Sequence, residues 1–200
     1  MLPRMALLLV CLFALGACSG PPLPYLGPDA RILAFGDSLT AGNGAGENED
    51  YPARLATLCG CEVINAGVPG EVTALGRQRL PLLLEEMQPD VLILLEGGND
   101  ILRGVPRVQI RENLQQMLLD AKAMAVPVLL ISVPQKQLWL HPAPWYKALA
   151  DQHDSLLMDD ELSELLSTAS LKSDMIHLNA AGYQQLANEI YHKLKHAGLF

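Results

Sequence analysis

From residue 31 onward, short apolar segments alternate with amphipathic ones, and this alternation constrains the fold more than any other feature. The apolar segments are residues 31–35, 62–66, 91–96, 127–133 and 155–158, and the amphipathic ones are 51–58, 73–87, 107–125, 145–152 and 180–196. Strands that are apolar throughout are buried on both faces, which is typical of a parallel sheet covered by helices. The sequence therefore predicts a single-domain α/β fold: a doubly wound, five-stranded parallel sheet with helices on both faces.

Composition narrows the class of protein. Half of the 200 residues are hydrophobic and 18% are charged, which excludes a disordered chain. The chain carries 14 Lys and Arg against 22 Asp and Glu, a formal net charge of −8. Because an acidic chain without a basic cluster repels a polyanion, we expect no nucleic-acid partner. The length suits one domain, which we place at residues 31–200 and expect to be a monomer.

Residues 1–17 are predicted to be a signal peptide rather than part of the domain. Arg4 provides a basic start, and the uncharged apolar run that follows is too short to span a bilayer. The sequence Leu-Gly-Ala-Cys that ends at Cys18 then resembles the bacterial lipobox, which implies that Cys18 is lipidated and becomes the first mature residue. The alternative is an ordinary secretory signal with Cys18 as an incidental thiol. The lipobox predicts a periplasmic protein anchored to the bacterial membrane, and Ser19 favours the outer membrane by analogy.

Residues 18–30 are predicted to be a tether, because the four prolines in the twelve residues 19–30 prevent both a helix and a paired strand. Export also bears on Cys59 and Cys61, which only Gly60 separates. A disulfide between them is one possibility in an oxidising compartment. Since a bridge between residues two apart is geometrically strained, two unpaired thiols that pack as small hydrophobic side chains are the favoured alternative, and the sequence leaves both open.

The most unusual sequence lies at the carboxyl ends of the predicted strands, where ligands bind in such sheets. Residues 36–42 (GDSLTAG), 65–70 (NAGVPG) and 97–100 (GGND) follow or end the first three strands. Residues 174–177 (DMIH) come after the last strand and a short helical insert. Each segment alone is compatible with ordinary turn chemistry, but four of them at one end of one sheet indicate a catalytic site.

The residue types in these segments are complementary. A serine hydroxyl such as that of Ser38 needs a base, which His177 can supply, and a carboxylate such as Asp174 orients that base. Asp174 and His177 are three residues apart, which places both on one face of a turn. Acyl transfer also needs donors for the developing oxyanion, and the backbone N–H of Ser38, Gly70 and the side-chain amide of Asn99 are candidates.

Together, over almost the whole predicted domain, these segments resemble the GDSL or SGNH hydrolase superfamily, and within it the bacterial acyl-CoA thioesterase/lysophospholipase/arylesterase group. The resemblance implies a flavodoxin-like fold, with Ser38 as the nucleophile and Asp174 and His177 completing the triad. It implies an oxyanion hole formed by Ser38, Gly70 and Asn99, and an acyl-binding face after Asn99. It implies neither a metal nor an organic cofactor.

Three parts of the sequence depart from the family pattern. The family often has Gly between the Asp and the His, where this chain has Met175, and often Pro after the His, where it has Leu178. We expect both residues to shape the rim of the pocket. Residues 135–146 match no motif known to us and hold both tryptophans, and we expect them to flank the site.

The sequence leaves three functions to compare. The leading one is a serine acyl hydrolase that cleaves carboxylic ester or thioester bonds of lipid-like or small aryl esters. An O-acetylesterase acting on cell-envelope carbohydrate would use the same catalytic residues. A non-catalytic envelope lipoprotein would keep the fold for binding, but the presence of Ser38, Asn99, Asp174 and His177 argues against it. A lipid anchor favours the first function, because it would place the enzyme beside phospholipid. We expect a small-molecule or lipid ester as the substrate.

Overall fold

The computed structural model describes residues 25–135 and 140–200, and a five-stranded parallel sheet forms its centre. The strands are β1 (Arg31–Gly36), β2 (Glu62–Gly67), β3 (Val91–Leu95), β4 (Val128–Ile131) and β5 (Leu156–Met158). Their order across the sheet is β2-β1-β3-β4-β5, and every neighbouring pair is parallel. The predicted sheet is confirmed, and the strand ends differ from the predicted ones by at most two residues.

Helices cover both faces of this sheet. In the described residues they are α1 (Ser38–Ala41), α2 (Tyr51–Cys59), α3 (Thr73–Met87), α4 (Gly98–Arg103), α5 (Arg107–Ala123), α6 (Trp145–His153), α7 (Glu161–Ser167) and α8 (Ala180–His196). The chain moves along the sheet in opposite directions from β1 to β2 and from β2 to β3, so right-handed crossovers place α2 and α3 on opposite faces. Helix α8 packs against α2, and α5 packs against α3. None of these helices is both long and apolar enough to cross a bilayer.

Strands β1 and β3 are neighbours within the sheet, are buried in the core and fix the position of the loops that follow them. Strand β3 is buried at every position, and β1 at every position after Arg31. Gly36, the last residue of β1, lies beside Leu95, the last residue of β3. A Cβ atom at Gly36 would collide with the carbonyl oxygen of Leu95 and the hydroxyl of Thr40, so only glycine allows this close approach. The loops after β1 and β3 therefore leave the sheet side by side.

The start of the packed domain lies earlier than the predicted boundary at residue 31. Leu26 is buried in the core, and its backbone N–H donates to the carbonyl oxygen of Leu199 at 2.7 Å. The end of the predicted tether is thus part of the domain, because an apolar side chain there is buried against the chain's carboxyl terminus. The predicted signal peptide, Cys18 and the rest of the tether lie outside the described residues.

Cys59 and Cys61 form a disulfide, the less favoured of the two alternatives that the sequence leaves open. Helix α2 ends at Cys59, and Gly60 follows it in the left-handed conformation with φ +65°. This reversal brings the two Cα atoms to 5.2 Å, within the ordinary range for a disulfide. The spacing of the two cysteines does not reveal this bridge, because the bridge depends on the turn that glycine permits between them.

Candidate active site

The candidate site lies where the strand order reverses. Strand β1 has β2 on one side and β3 on the other, and the chain leaves β1 and β3 toward opposite faces of the sheet. Such a switch point opens a crevice beyond the carboxyl ends of the two strands. Ser38 begins α1 directly after β1, and Asn99 lies in α4 directly after β3. The fold therefore places both residues at the crevice, as the sequence predicts.

Ser38, His177 and Asp174 form a continuous chain of hydrogen bonds. The Oγ atom of Ser38 lies 3.0 Å from Nε2 of His177, and Nδ1 of His177 lies 2.7 Å from Oδ2 of Asp174. When Nδ1 carries the ring proton it donates to Asp174, which leaves Nε2 free to accept the proton of the serine hydroxyl. Residues 139 positions apart in the sequence thus meet in the arrangement of a nucleophile, a base and an orienting carboxylate.

Asp174 and His177 lie in a loop rather than on a helix. The second oxygen of Asp174, Oδ1, accepts the backbone N–H groups of Ile176 and His177, both at 2.8 Å. These two bonds form an Asx-type turn, which brings the side chains of Asp174 and His177 into contact. The hydrogen bond from His177, helped by the backbone N–H of Ile176, lowers the pKa of Asp174 to about 2. The carboxylate is consequently ionised throughout the neutral range.

Contacts made by the loop after α1 hold residues 173–178, which we call the histidine loop, against Ser38. The hydroxyl of Tyr183, a fully buried side chain of α8, donates to the carbonyl oxygen of Asn43 at 2.7 Å. Gly44 approaches the histidine loop so closely that a Cβ atom there would collide with Ser173 and with the backbone of Leu178. These contacts keep the imidazole within hydrogen-bonding distance of Ser38.

Asp37 orients the side chain of Asn99. Its Oδ1 accepts the backbone N–H of Leu39 at 3.0 Å, and its Oδ2 accepts a hydrogen bond from Nδ2 of Asn99 at 3.1 Å. Burial raises the pKa of Asp37 to about 6, against the lowering effect of these hydrogen bonds and of His177. The amide nitrogen of Asn99 carries two hydrogens, and the second has no acceptor among the described residues, in a side chain that lines the same cavity as Ser38.

A cavity of about 250 Å³ opens beside these residues. Ser38, Asn99 and His177 line one part of it, and most of the remaining wall is apolar. Its apolar residues include Leu39, Ile101, Leu102, Leu166, Met175 and Ile176. Met175 is 87% exposed and stands at the rim, as predicted. Leu178 is fully buried in the core, so the expectation that it shapes the rim is wrong.

Two other predictions meet the structure in part. Gln135 and Leu140, which belong to the unusual segment 135–146, line the cavity, whereas residues 136–139 lie outside the described part of the chain. Gly70 has a left-handed backbone, with φ +80°, and its carbonyl oxygen accepts a hydrogen bond from Arg103 at 2.9 Å. Gly70 is not among the described residues that line the cavity, so its place in an oxyanion hole stays a prediction.

Sequence reasoning also missed a buried acidic residue directly below the site. Glu96 directly follows β3, is fully buried and lies two residues before α4, the helix that carries Asn99. Its signal was visible in the sequence, because one glutamate ends an otherwise apolar segment, VLILLE. Lys and Glu side chains are rarely buried completely unless they have a partner, so such a residue marks a constrained position.

The comparisons with known proteins define the family. Residues 34–185 match the model of the GDSL-like Lipase/Acylhydrolase family, and the chain belongs to this family. The match includes the segments that contain Ser38, Asn99, Asp174 and His177.

The individual relatives agree with that assignment. Esterase TesA of Pseudomonas aeruginosa is 36% identical over 107 residues, which cover 51% of this chain and 53% of the relative. Thioesterase 1/protease 1/lysophospholipase L1 of Escherichia coli K12 is 36% identical over 104 residues, which cover 51% of this chain and 50% of the relative. The alignments thus span about half the length of these curated relatives. A crystal structure of TesA, 29% identical, superposes with a TM-score of 0.74 over 84% of this chain and 99% of the other.

Proposed function

We propose that this protein is a serine acyl hydrolase that cleaves carboxylic ester or thioester bonds through Ser38, His177 and Asp174. The observation that carries the proposal is the chain of hydrogen bonds from Ser38 through His177 to Asp174, at 3.0 and 2.7 Å, at the edge of an apolar cavity. A serine hydroxyl in contact with a neutral imidazole that a carboxylate orients is equipped for nucleophilic attack on a carbonyl carbon.

In the first half of the reaction, Nε2 of His177 takes the hydroxyl proton while Oγ of Ser38 forms a bond to the acyl carbon. The negative charge of the tetrahedral intermediate lies on the former carbonyl oxygen. We assign its stabilisation to the backbone N–H of Ser38, to Gly70 and to the free amide hydrogen of Asn99. The ionised Asp174 stabilises the imidazolium that forms on His177.

Collapse of this intermediate completes the acylation of Ser38, and hydrolysis of the acyl-enzyme then returns the enzyme to its starting state. The bond to the leaving alcohol or thiol breaks, and that group departs with the proton from His177, which leaves an acyl ester on Ser38. His177 then takes a proton from water as the water oxygen attacks the acyl carbon. The serine oxygen leaves with the proton from His177, and the carboxylic acid is released.

The apolar wall of the cavity favours lipid-like or small aryl esters over acetylated sugars. Leu102, Leu166 and Ile176 offer aliphatic surface to an acyl chain, which gains free energy by leaving water. A sugar would instead need several convergent polar groups to replace its hydration. The names of the relatives, an esterase and a thioesterase/lysophospholipase, point to the same substrate class.

We also propose that the protein is exported and anchored in the outer membrane through a lipid on Cys18. The lipobox-like sequence before Cys18 supports this location. The disulfide between Cys59 and Cys61 supports it independently, since such bonds persist in oxidising compartments such as the periplasm. The anchor would hold the cavity close to phospholipid.

Hydrolysis of p-nitrophenyl esters from acetate to palmitate tests the activity and the substrate class together. The matched control for Ser38→Ala is Ser155→Ala, since Ser155 precedes β5 at the opposite end of the sheet. We expect activity that is greatest on medium or long chains, is lost in Ser38→Ala and is kept in Ser155→Ala. Greatest activity on acetate would contradict the lipid-like class and favour an O-acetylesterase. Equal inactivity of folded wild type and Ser38→Ala would contradict the enzymatic function.

A further inference from the structure

The buried carboxyl group of Glu96 lies between the catalytic loops but has no place in the mechanism above. Its Oε2 accepts the backbone N–H of Gly97 at 3.2 Å, and its own carbonyl oxygen accepts the hydroxyl of Tyr146 at 2.6 Å. Its other carboxyl oxygen, Oε1, is buried and receives no hydrogen bond from any donor in the described residues. An ionised oxygen in that position would be costly, because nothing there replaces its hydration.

A second carboxyl group, that of Glu71, lies close to this oxygen. Oε1 of Glu96 and Oε2 of Glu71 converge above Gly76, at 3.4 and 3.5 Å from the point that a Cβ atom there would occupy. Arg79 binds Glu71 with two hydrogen bonds, at 3.0 and 2.6 Å, and stacks over the ring of Phe35. Arg79 therefore compensates a negative charge on Glu71, whereas Glu96 receives no such partner.

Two facing carboxyl groups can form a hydrogen bond only if one of them carries a proton. Arg79 compensates the charge of Glu71, so the proton belongs on Glu96. Burial, the charge of Asp37 and the hydrogen bond with Glu71 all raise the pKa of Glu96 far above its usual range. The titratable and charged groups around Glu96 are Asp37 after β1, Glu71 after β2, Arg79 on α3, Asp100 on α4 and Tyr146 on α6.

The pair joins the two loops that carry the proposed oxyanion donors. Glu71 follows Gly70 in the loop after β2, and Glu96 is three residues before Asn99 after β3. Two further links connect the same loops. Thr73 donates to Asp100 through both its backbone N–H and its hydroxyl, at 2.8 and 2.7 Å, and Arg103 donates to the carbonyl oxygen of Gly70. Of these links, only the one between the carboxyl groups depends on a proton.

On this basis, which rests on the proposed function, we propose that Glu96 and Glu71 share a proton that holds the two oxyanion loops in register. Both residues are positioning residues, since neither lines the cavity among the described residues. Loss of the proton would leave two negative charges facing each other in the core, which would push the loops apart. Because oxyanion donors act in the transition state, the loss lowers kcat more than it raises KM.

The test compares Glu96→Gln, Glu96→Leu and the surface control Glu85→Gln on α3, where the side chain is exposed. In the wild type, we expect kcat to fall at alkaline pH as Glu96 loses its proton. The amide of Glu96→Gln donates to Glu71 at every pH, so kcat at neutral pH stays near wild type and this alkaline fall disappears. Glu96→Leu cannot make the link, and kcat falls between ~10-fold and ~10²-fold with little change in KM. Glu85→Gln behaves like the wild type. An alkaline fall that persists unchanged in Glu96→Gln would overturn the proposal.

Two readouts do not depend on catalysis, so they separate this proposal from the proposed function. The infrared spectrum at about pH 8, where exposed carboxyl groups are ionised, should show the C=O band of a protonated carboxyl group in wild type and Glu85→Gln but not in Glu96→Gln. Since the pKa of Glu96 is raised by folding, the stability that its proton confers declines as pH rises above the value for the unfolded chain. From about pH 5 to about pH 9, the folding equilibrium constant of wild type should fall relative to that of Glu96→Gln by about tenfold per pH unit. A missing band together with parallel stability curves would refute the shared proton even in an active enzyme.

Discussion

Substitution of Asn99 by alanine tests the oxyanion hole most sharply, because the structure gives this side chain two separable tasks. One amide hydrogen is donated to Asp37 at 3.1 Å, and we assign the other to the oxyanion in the cavity that Asn99 and Ser38 both line. Removal of one oxyanion donor costs about 2.7–4 kcal/mol in the transition state, so kcat should fall ~10²–10³-fold. The ground-state ester makes little use of this donor, so we expect KM to change far less.

Asn99→Ala also affects stability, which has to be measured separately. Oδ2 of the buried Asp37 loses its donor, and a buried acceptor without a partner costs about 1–3 kcal/mol. The assay is therefore steady-state hydrolysis of a soluble p-nitrophenyl ester at a temperature where denaturation curves show the variant to be folded. The matched control is Asn188→Ala on α8, where the amide oxygen only accepts a hydrogen bond from Gln184. A folded Asn99→Ala protein with nearly wild-type kcat would refute the assignment of Asn99.

Further predictions concern the cavity rim, the disulfide and the anchor. Met175→Gly opens the rim, so the preferred acyl chain should become longer, whereas Met124→Gly at the end of α5 should leave the preference unchanged; an unaltered profile in Met175→Gly would mean that the rim does not select substrates. Alkylation followed by mass spectrometry should modify Cys59 and Cys61 only after reduction, and modification of the native protein would contradict the bridge. Cys18→Ser should abolish incorporation of labelled palmitate in cells, and a labelled variant would exclude Cys18 as the lipidation site.

The sheet and its long helices could be predicted because they depend on patterns that lie within single segments. Residues 91–95 are apolar at every position, which only a strand covered on both faces explains in a fold of this kind. The parallel arrangement then requires that the carboxyl ends of β1 and β3 meet at one edge. The proximity of Ser38 and Asn99 follows from that arrangement without any knowledge of loop geometry.

The missing parts depend on contacts between residues far apart in the sequence. Nothing near Glu96 indicates that Glu71, 25 positions earlier, lies opposite its carboxyl group, and no local pattern reveals that Asp37 holds Asn99 across the switch point. The disulfide depends on the left-handed turn at Gly60, which the spacing of the two cysteines does not reveal. The prolines of residues 18–30 indicate a tether, although the side chain of Leu26 within this segment packs into the core.

The central claim is that Ser38 is the nucleophile, and covalent labelling with a fluorophosphonate tests it most directly. This reagent phosphonylates a serine that a neighbouring base activates. Peptide mass spectrometry should locate one adduct, on Ser38, with the loss of hydrolysis in proportion to labelling. Folded His177→Ala should take up the label far more slowly, because the base that contacts Ser38 at 3.0 Å is gone. An active protein that carries the adduct on another serine, or that labels equally fast without His177, would contradict the account.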